Sequence, residues 1–290
     1  MKILITGTSG QVGYELQRSL QGLGEVIAVD RAQMDLSDLQ QVRDVIRAVK
    51  PTLIVNPAAY TAVDKAESEP ALAMRINGEA PAVMAEEARR LGAGIVHYST
   101  DYVFDGSKPG PYVETDPTCP INVYGATKLA GEQAIAAGGV PHLILRTSWV
   151  YGTRGKNFLL TVLRLAAERD ELRIVGDQFG SPTWSRTIAD TTALLLARLD
   201  AREGLLAAMA SGQGGIYHLT SGGSTSWHGF TEQIVGHASV AKKPTVTAIR
   251  TEEYPVPAKR PHNSVMACAR LADLGVHVPE WQTALALCQG

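Results

Sequence analysis

An α/β fold, a doubly wound parallel sheet with a smaller C-terminal lobe, is predicted by three observations. Short apolar runs alternate with helix-like stretches from residue 1 to about 150, the signature of parallel strands joined by crossover helices. The first run, Ile3-Leu4-Ile5, ends in a glycine-spaced turn that leads directly into a helical stretch. Beyond about residue 150 the alternation loosens, and from about 220 Pro and Gly become frequent, which marks a second, less regular part.

Each element follows from its own residues. Ile3-Leu4-Ile5 reads as a strand buried on both faces. Gly7-Thr8-Ser9-Gly10-Gln11-Val12-Gly13 then opens a helix over about 12–20. Between a strand and a helix, such glycines allow a tight turn and close approach of a pyrophosphate, and the free N–H groups of the helix start face it. The spacing is G-x-x-G-x-x-G rather than G-x-G-x-x-G. A second strand, 26–29, ends in Asp30-Arg31. The acid can take the ribose hydroxyls of NAD, and the arginine the 2′-phosphate of NADP, so NADPH and NADH both stay open. Asp35-Leu36-Ser37 reads as the opening of the next helix, with Asp35 as its N-cap or a ligand contact near the adenine. The strand 53–55 runs into Asn56-Pro57-Ala58-Ala59-Tyr60-Thr61, small residues against which a cofactor can lie.

A segment containing Asn77 and a helix over about 81–91 lead to the strand 94–98, which ends in Ser99-Thr100-Asp101. A hydroxyl and a carboxylate at a strand's carboxyl end are positioned for chemistry. The loop 101–122 is long enough to serve a substrate and runs straight into Tyr124-Gly125-Ala126-Thr127-Lys128. On a helix, Tyr124 and Lys128 share a face. A phenol beside a fixed ammonium is expected to titrate below its usual value of about 10 and so to move protons near neutral pH. After a strand over 142–147, continuing into 148–152, come a helix over 158–169, a strand over 172–175 and a loop over 177–183. An apolar helix over 187–199 and a strand over 215–219 are expected to return to the sheet. The predicted division is a Rossmann-like nucleotide-binding domain, 1–148 plus about 185–219, and a substrate-binding lobe, about 149–184 plus 220–290.

Bulk properties exclude several classes. With 290 residues, 45% of them hydrophobic, the chain can bury a large core. A net charge of −2 without long runs of one sign argues against nucleic-acid partners and a polybasic membrane anchor. No apolar run approaches the ~18 residues of a spanning helix, and the apolar start is too short for a signal peptide. Cys119, Cys268 and Cys288 form neither a disulfide framework nor a zinc spacing. A soluble, cytoplasmic protein is expected.

The glycine turn, Thr100 and Tyr124-x-x-x-Lys128 together resemble the extended short-chain dehydrogenase/reductases. Longer stretches narrow this: Gly10-Gln11-Val12-Gly13, Thr61-Ala62-Val63-Asp64-Lys65-Ala66-Glu67, Tyr98-Ser99-Thr100-Asp101-Tyr102-Val103-Phe104-Asp105-Gly106 and Asn122-Val123-Tyr124-Gly125. With Lys128-Leu129-Ala130-Gly131-Glu132, Arg146-Thr147-Ser148-Trp149-Val150-Tyr151 and Arg260-Pro261-x-Asn263-Ser264, nearly the whole chain is similar to the dTDP-4-dehydrorhamnose reductase family. The resemblance implies reduction of the C4 keto group of dTDP-4-dehydro-β-L-rhamnose by NADPH or NADH, the last step of dTDP-L-rhamnose synthesis. It implies Tyr124 as proton donor, Lys128 as its electrostatic partner and ribose ligand, and Thr100 as a hydrogen-bond donor to the same oxygen. Gly7, Gly10, Gln11, Val12 and Gly13 would hold the pyrophosphate, Asp30 and Arg31 the adenosine ribose, Asp35 and Leu36 the adenine side, and Ala58, Ala59, Tyr60 and Thr61 the strand-end contact. Asp101 and Trp149 would face the sugar, and Arg260 the diphosphate.

The resemblance also implies a homodimer. Some relatives bind Mg²⁺ at a subunit contact. Glu15 matches one such position, but Arg186 stands where an acid belongs, so a tightly held Mg²⁺ is not expected. Two other readings share the fold: a nucleotide-sugar epimerase or dehydratase, and a non-catalytic regulatory subunit of the methionine adenosyltransferase type. Tyr102 in place of the Glu a dehydratase needs, and the intact set of Thr100, Tyr124 and Lys128, argue against them.

Overall fold

The computed structural model describes residues 1–239 and 242–290. Its first half is β1 (Lys2–Ile5), α1 (Gln11–Ser19), β2 (Glu25–Ala28), α2 (Leu39–Val49), β3 (Leu53–Asn56), α3 (Val63–Ala66) and α4 (Pro70–Met74). A π-helical turn, Arg75–Glu79, leads into α5 (Ala80–Leu91), β4 (Gly94–Thr100), a 3₁₀ turn at Asp101–Val103, α6 (Val123–Ala137) and β5 (His142–Thr147). The second half is β6 (Val150–Tyr151), α7 (Phe158–Glu168), β7 (Glu171–Val175), β8 (Phe179–Gly180), β9 (Thr183–Trp184), α8 (Ser185–Glu203), α9 (Leu205–Ala210) and β10 (Gly215–His218). It closes with β11 (Thr225–Ser226), α10 (Trp227–His237), β12 (Thr245–Ile249), α11 (Ala269–Asp273) and α12 (Trp281–Gln289).

Six strands form one parallel sheet in the order β10-β5-β4-β3-β1-β2. Successive strand residues point to opposite faces, and here both faces are covered. Ile3, Ile5, Leu53, Val55, Val96, Leu143 and Leu145 join the core beneath α1 and α8. Leu4, Ile54, Ile95 and Ile144, the residues between them, join the core beneath α2 and α5. This is why the strands read as continuous apolar runs rather than as alternation. The strand order reverses between β1 and β3, and ligands in such sheets sit beyond the carboxyl ends at that switch.

A third core brings together Tyr151, Leu159, Val162, Leu172, Phe230, Ile234, Trp281 and Leu285. Its elements pair in two-stranded ribbons: β7 with β12, β8 with β11, and β6 with β9. α8 packs against α1, and β10 pairs with β5 at the edge of the main sheet. One expectation is corrected. The N-cap of α2 is Asp38, whose carboxylate accepts from Gln40 N and Gln41 N, and not Asp35. Asp35 instead closes its own turn, accepting from the backbone and hydroxyl of Ser37, a local competitor to helix formation.

Candidate active site

A cleft of about 470 Å³ opens at the switch point, lined by the glycine turn after β1, the ends of β2 and β3, the end of β4, and α6. That volume lies within the range of small-molecule sites, roughly 300–1,000 Å³. The turn is built from backbone alone. Gly7 has φ +58°, and a Cβ there would meet the Ala58 Cβ at 2.8 Å. A Cβ on Gly13 would stand 2.3 Å from the Gly7 carbonyl oxygen. The N-cap of α1, Gly10, offers no side chain to the first N–H groups of the helix. Those donors therefore face the cleft with the positive end of the helix, the arrangement that suits a pyrophosphate.

The opposite wall carries the titratable groups. Asn122 caps α6: its carbonyl accepts from Gly125 N at 2.8 Å, and its amide donates to the Lys259 carbonyl at 2.8 Å. Glu67 accepts from Val123 N at 2.9 Å. These bonds set the angle at which Tyr124 enters the cleft, and they explain why residues 61–67 and 122–125 belong to one site. Tyr102 packs edge-on against Tyr124, with ring centroids 5.8 Å apart.

The expected lowering of the Tyr124 phenol is not observed. Burial raises it to about 12, the hydroxyl of Thr100 acts to lower it, and the charge of Asp101 raises it further. The reason is where Lys128 points. Its Nζ donates to the Tyr98 carbonyl at 2.6 Å and lies 3.2 Å from His97 Nε2. Burial lowers the ammonium from 10.5 to about 8, opposed by the charge of Glu132. Asp101 is buried and held up to about 6, because desolvation outweighs the opposing effect of the neighbouring Ser264 and Thr100 hydroxyls. At neutral pH the wall thus presents a protonated phenol, backed by the Thr100 hydroxyl and a carboxylate that burial disfavours, a set suited to giving a proton rather than taking one.

The chain matches the family described as the RmlD substrate binding domain over residues 1–289. It is 52% identical over 296 residues to a dTDP-4-dehydrorhamnose reductase of Burkholderia thailandensis, covering 99% of this chain and 98% of that one. It is 44% identical over 291 residues to one from Escherichia coli, covering 97% and 95%. The chain belongs to the dTDP-4-dehydrorhamnose reductase family. Among solved structures, a dTDP-4-dehydrorhamnose reductase from Bacillus anthracis in complex with NADP matches with a TM-score of 0.89 at 35% identity, covering 99% of this chain and 98% of that one. A UDP-glucose 4-epimerase from Thermus thermophilus, with a TM-score of 0.80 at 22% identity and coverage of 100% and 98%, shares the fold.

Within this reductase-family chain, the cleft collects Gly7, Gly10, Gln11, Val12, Gly13, Arg31, Asp35, Leu36, Ala58, Ala59, Thr61, Tyr124 and Lys128 from the expected set. Asp30 turns away from it, its carboxylate accepting from Ala32 N and Gln33 N. Tyr60 gives its phenol to Glu69 at 2.7 Å, while its backbone is held from both sides by the Asn77 amide. Thr100 and Asp101 sit behind Tyr124, and the Thr100 hydroxyl donates to Asp101 at 2.9 Å. Trp149 lies flat against Trp227 with centroids 3.5 Å apart, in a left-handed backbone conformation of φ +46°. Arg260 is already engaged by Asp64 at 2.8 Å and lies over the Tyr102 ring. Arg186 pairs with Asp190 at 3.5 Å. Gly155 and Lys156, from the loop before α7, also line the cleft. Sequence reasoning missed them because nothing local ties that loop to α1. The tie is the Asn157 amide, which donates to Gln11 Oε1 at 2.8 Å.

Proposed function

We propose that this protein reduces the C4 keto group of dTDP-4-dehydro-β-L-rhamnose to give dTDP-L-rhamnose, the last step of dTDP-L-rhamnose biosynthesis. The observation that carries the reading is the placing of Tyr124 and Lys128 on one wall of a cleft, with Thr100 behind the phenol, opposite a side-chain-free phosphate turn, in a chain 52% identical to a named reductase. The turn and the strand-end alanines suit a dinucleotide. NADPH is favoured over NADH, because Arg31 lines the cleft while the Asp30 carboxylate is spent on its own turn. When bound, the nicotinamide supplies the hydride.

As the carbonyl carbon becomes tetrahedral, its oxygen takes on negative charge and needs a proton. Tyr124, held protonated at neutral pH, gives that proton and becomes phenolate. The Thr100 hydroxyl, turned from Asp101 toward this oxygen, stabilises the charge as it moves from the sugar oxygen to the phenol. Lys128, charged below about pH 8, supplies a positive field from the floor of the cleft and binds ribose hydroxyls. Residues 1–148 plus about 185–219 hold the cofactor, and 149–184 plus 220–290 hold the nucleotide sugar, with Asp101 and Trp149 toward the sugar and Arg260 toward the diphosphate. No helix among the described residues is long and apolar enough to cross a membrane, and a cytoplasmic homodimer is the assembly proposed.

The test is oxidation of NADPH or NADH by purified protein with dTDP-4-dehydrorhamnose. Turnover by wild type that falls by about 10² or more in Tyr124→Phe supports the reading. No turnover by wild type rules it out, and turnover that survives in Tyr124→Phe removes the proton-donor assignment.

A further inference from the structure

Lys128 is reached from below by a line of polar side chains that the reduction does not use. Thr6 Oγ1 lies 2.6 Å from Asn56 Oδ1, Asn56 Nδ2 lies 3.1 Å from His97 Nδ1, and His97 Nε2 lies 3.2 Å from Lys128 Nζ. The line crosses the carboxyl ends of β1, β3 and β4, which are neighbours in the sheet, and Asn56 and His97 are register partners. None of the four residues is more than 1% exposed. Apolar side chains would fill this space without the cost of burying polar groups, so the array calls for a reason beyond packing.

The junctions constrain one another. Burial, reinforced by the charge of Lys128, keeps His97 far below its ordinary value, so the ring is neutral. A neutral imidazole has one donor nitrogen and one acceptor nitrogen. A charged lysine can only donate, so Nε2 accepts and Nδ1 carries the hydrogen. Nδ1–H then donates to the amide oxygen of Asn56, and the amide nitrogen donates to Thr6 Oγ1. A neutral lysine can accept at Nζ, and then every bond runs the other way. Thr6 Oγ1 donates to the amide oxygen, the amide nitrogen to Nδ1, and Nε2–H to Nζ. The amide exchanges its ends by a half-turn, so one set of atom positions serves both orders. In either state Nζ keeps a hydrogen for the Tyr98 carbonyl.

We propose that Thr6, Asn56 and His97 are positioning residues that hold Lys128 in one place in both of its charge states, by reversing the direction of their shared hydrogen bonds. The lysine can then change charge during turnover without leaving the cleft floor. The other titratable groups near it are Glu132 on its own helix, gripped by Arg146 of β5, and Tyr124 with Asp101 on the cleft side. On the segments packed outside α6, Lys65 pairs with Glu69, Arg75 with Glu79 and Arg90 with Glu86, while Asp64 holds Arg260 and the buried Glu87 is held by Arg43, Arg47 and Arg90. With Lys128 titrating at about 8, both states are populated in the working range.

The direct test is independent of the reductase reading. Full-length protein labelled with ¹⁵N in histidine is titrated from about pH 6.5 to about 9.5, and the ring-nitrogen shifts of His97 are followed, assigned by their loss in His97→Gln. The protonated nitrogen is expected to exchange from Nδ1 to Nε2 with a midpoint near the lysine value of about 8, and not to exchange in Lys128→Met. One tautomer throughout in wild type, or an exchange that persists in Lys128→Met, overturns the proposal.

A second test rests on the proposed reduction and reads the pH profile of kcat. His97→Leu is expected to lose about tenfold and to shift its alkaline limb about one to two pH units toward acid, since the charged lysine loses an acceptor. His97→Gln, whose amide can accept or donate at Nζ, is expected to recover to within about threefold. A leucine variant with the wild-type profile, or a glutamine variant no better than leucine, overturns the positioning role. Absence of turnover in wild type bears only on the proposed function, and the tautomer titration then decides the array.

Discussion

Replacing Asp101 by Asn removes a buried charge while keeping the outline of the side chain. Folding raises this carboxyl from 3.8 to about 6. A rise of that size corresponds to about 3 kcal/mol of native-state penalty for the ionised form. Because the folded value is the higher one, the penalty is absent below about pH 4, builds between the two values, and is complete above about pH 6. The amide oxygen of Asn can still accept from the Thr100 hydroxyl, as Asp101 Oδ1 does at 2.9 Å. Its nitrogen falls where Oδ2, buried and without a partner, now sits. Asp101→Asn is therefore expected to be more stable than wild type by about 2–3 kcal/mol near pH 7.5, with the gain vanishing near pH 4. Urea unfolding followed by tryptophan fluorescence at both pH values measures it. Loss of activity should accompany the gain, as happens where a site is held under strain. Equal or lower stability of the variant near pH 7.5, or a gain that does not shrink on acidification, would refute the reasoning.

The other expectations concern single contacts. Lys128→Met should abolish reduction and yet raise stability near pH 7 by up to about 3 kcal/mol, less about 1 kcal/mol for each of the two groups that lose this partner, the Tyr98 carbonyl and His97 Nε2. The folded lysine titrates at about 8 against 10.5, so that gain should narrow from about pH 8 and be gone by about 10.5, which denaturation at several pH values will show. Gly180→Ala would place a Cβ 2.4 Å from the Trp149 indole. Overpacking should cost about 1–3 kcal/mol and, by displacing the indole, raise KM for the nucleotide sugar more than it lowers kcat. Arg31→Ala should raise KM for NADPH by about tenfold and leave that for NADH nearly unchanged, as steady-state kinetics with each cofactor will report.

What the sequence revealed was what is local in the chain. The apolar runs 3–5, 53–55 and 142–147 could be read as strands because each is buried on both faces. The phosphate turn was legible because Gly7, Gly10 and Gly13 act through their own backbone. The pairing of Tyr124 with Lys128 on one face needed only helix geometry. What stayed hidden depends on neighbours far off in the chain. Arg260 meets Asp64 across 196 residues. Trp149 meets Trp227 through a fold that no local spacing encodes. The Tyr124 phenol is raised and not lowered for the same reason. Spacing places the ammonium near the phenol, but His97 and the Tyr98 carbonyl, which draw it toward the sheet, sit on β4.

Those hidden neighbours also explain how so many buried charges coexist. Glu132 and Arg146 form a two-pronged pair at 2.9 and 2.7 Å, each only 2–3% exposed. A buried pair of this kind is a weak source of stability, because desolvation consumes most of the attraction. Its effect lies elsewhere. The Glu132 charge opposes the desolvation of Lys128 and keeps the lysine titrating near physiological pH instead of falling further. Arg146 fixes that charge in position from β5, so the carboxylate cannot swing away. Neither residue lines the cleft, yet the pair sets the field in which Lys128 works. The core under α6 is therefore part of the site's electrostatics as much as of its packing, and a substitution there that left the fold intact would still reach the proton chemistry at Tyr124.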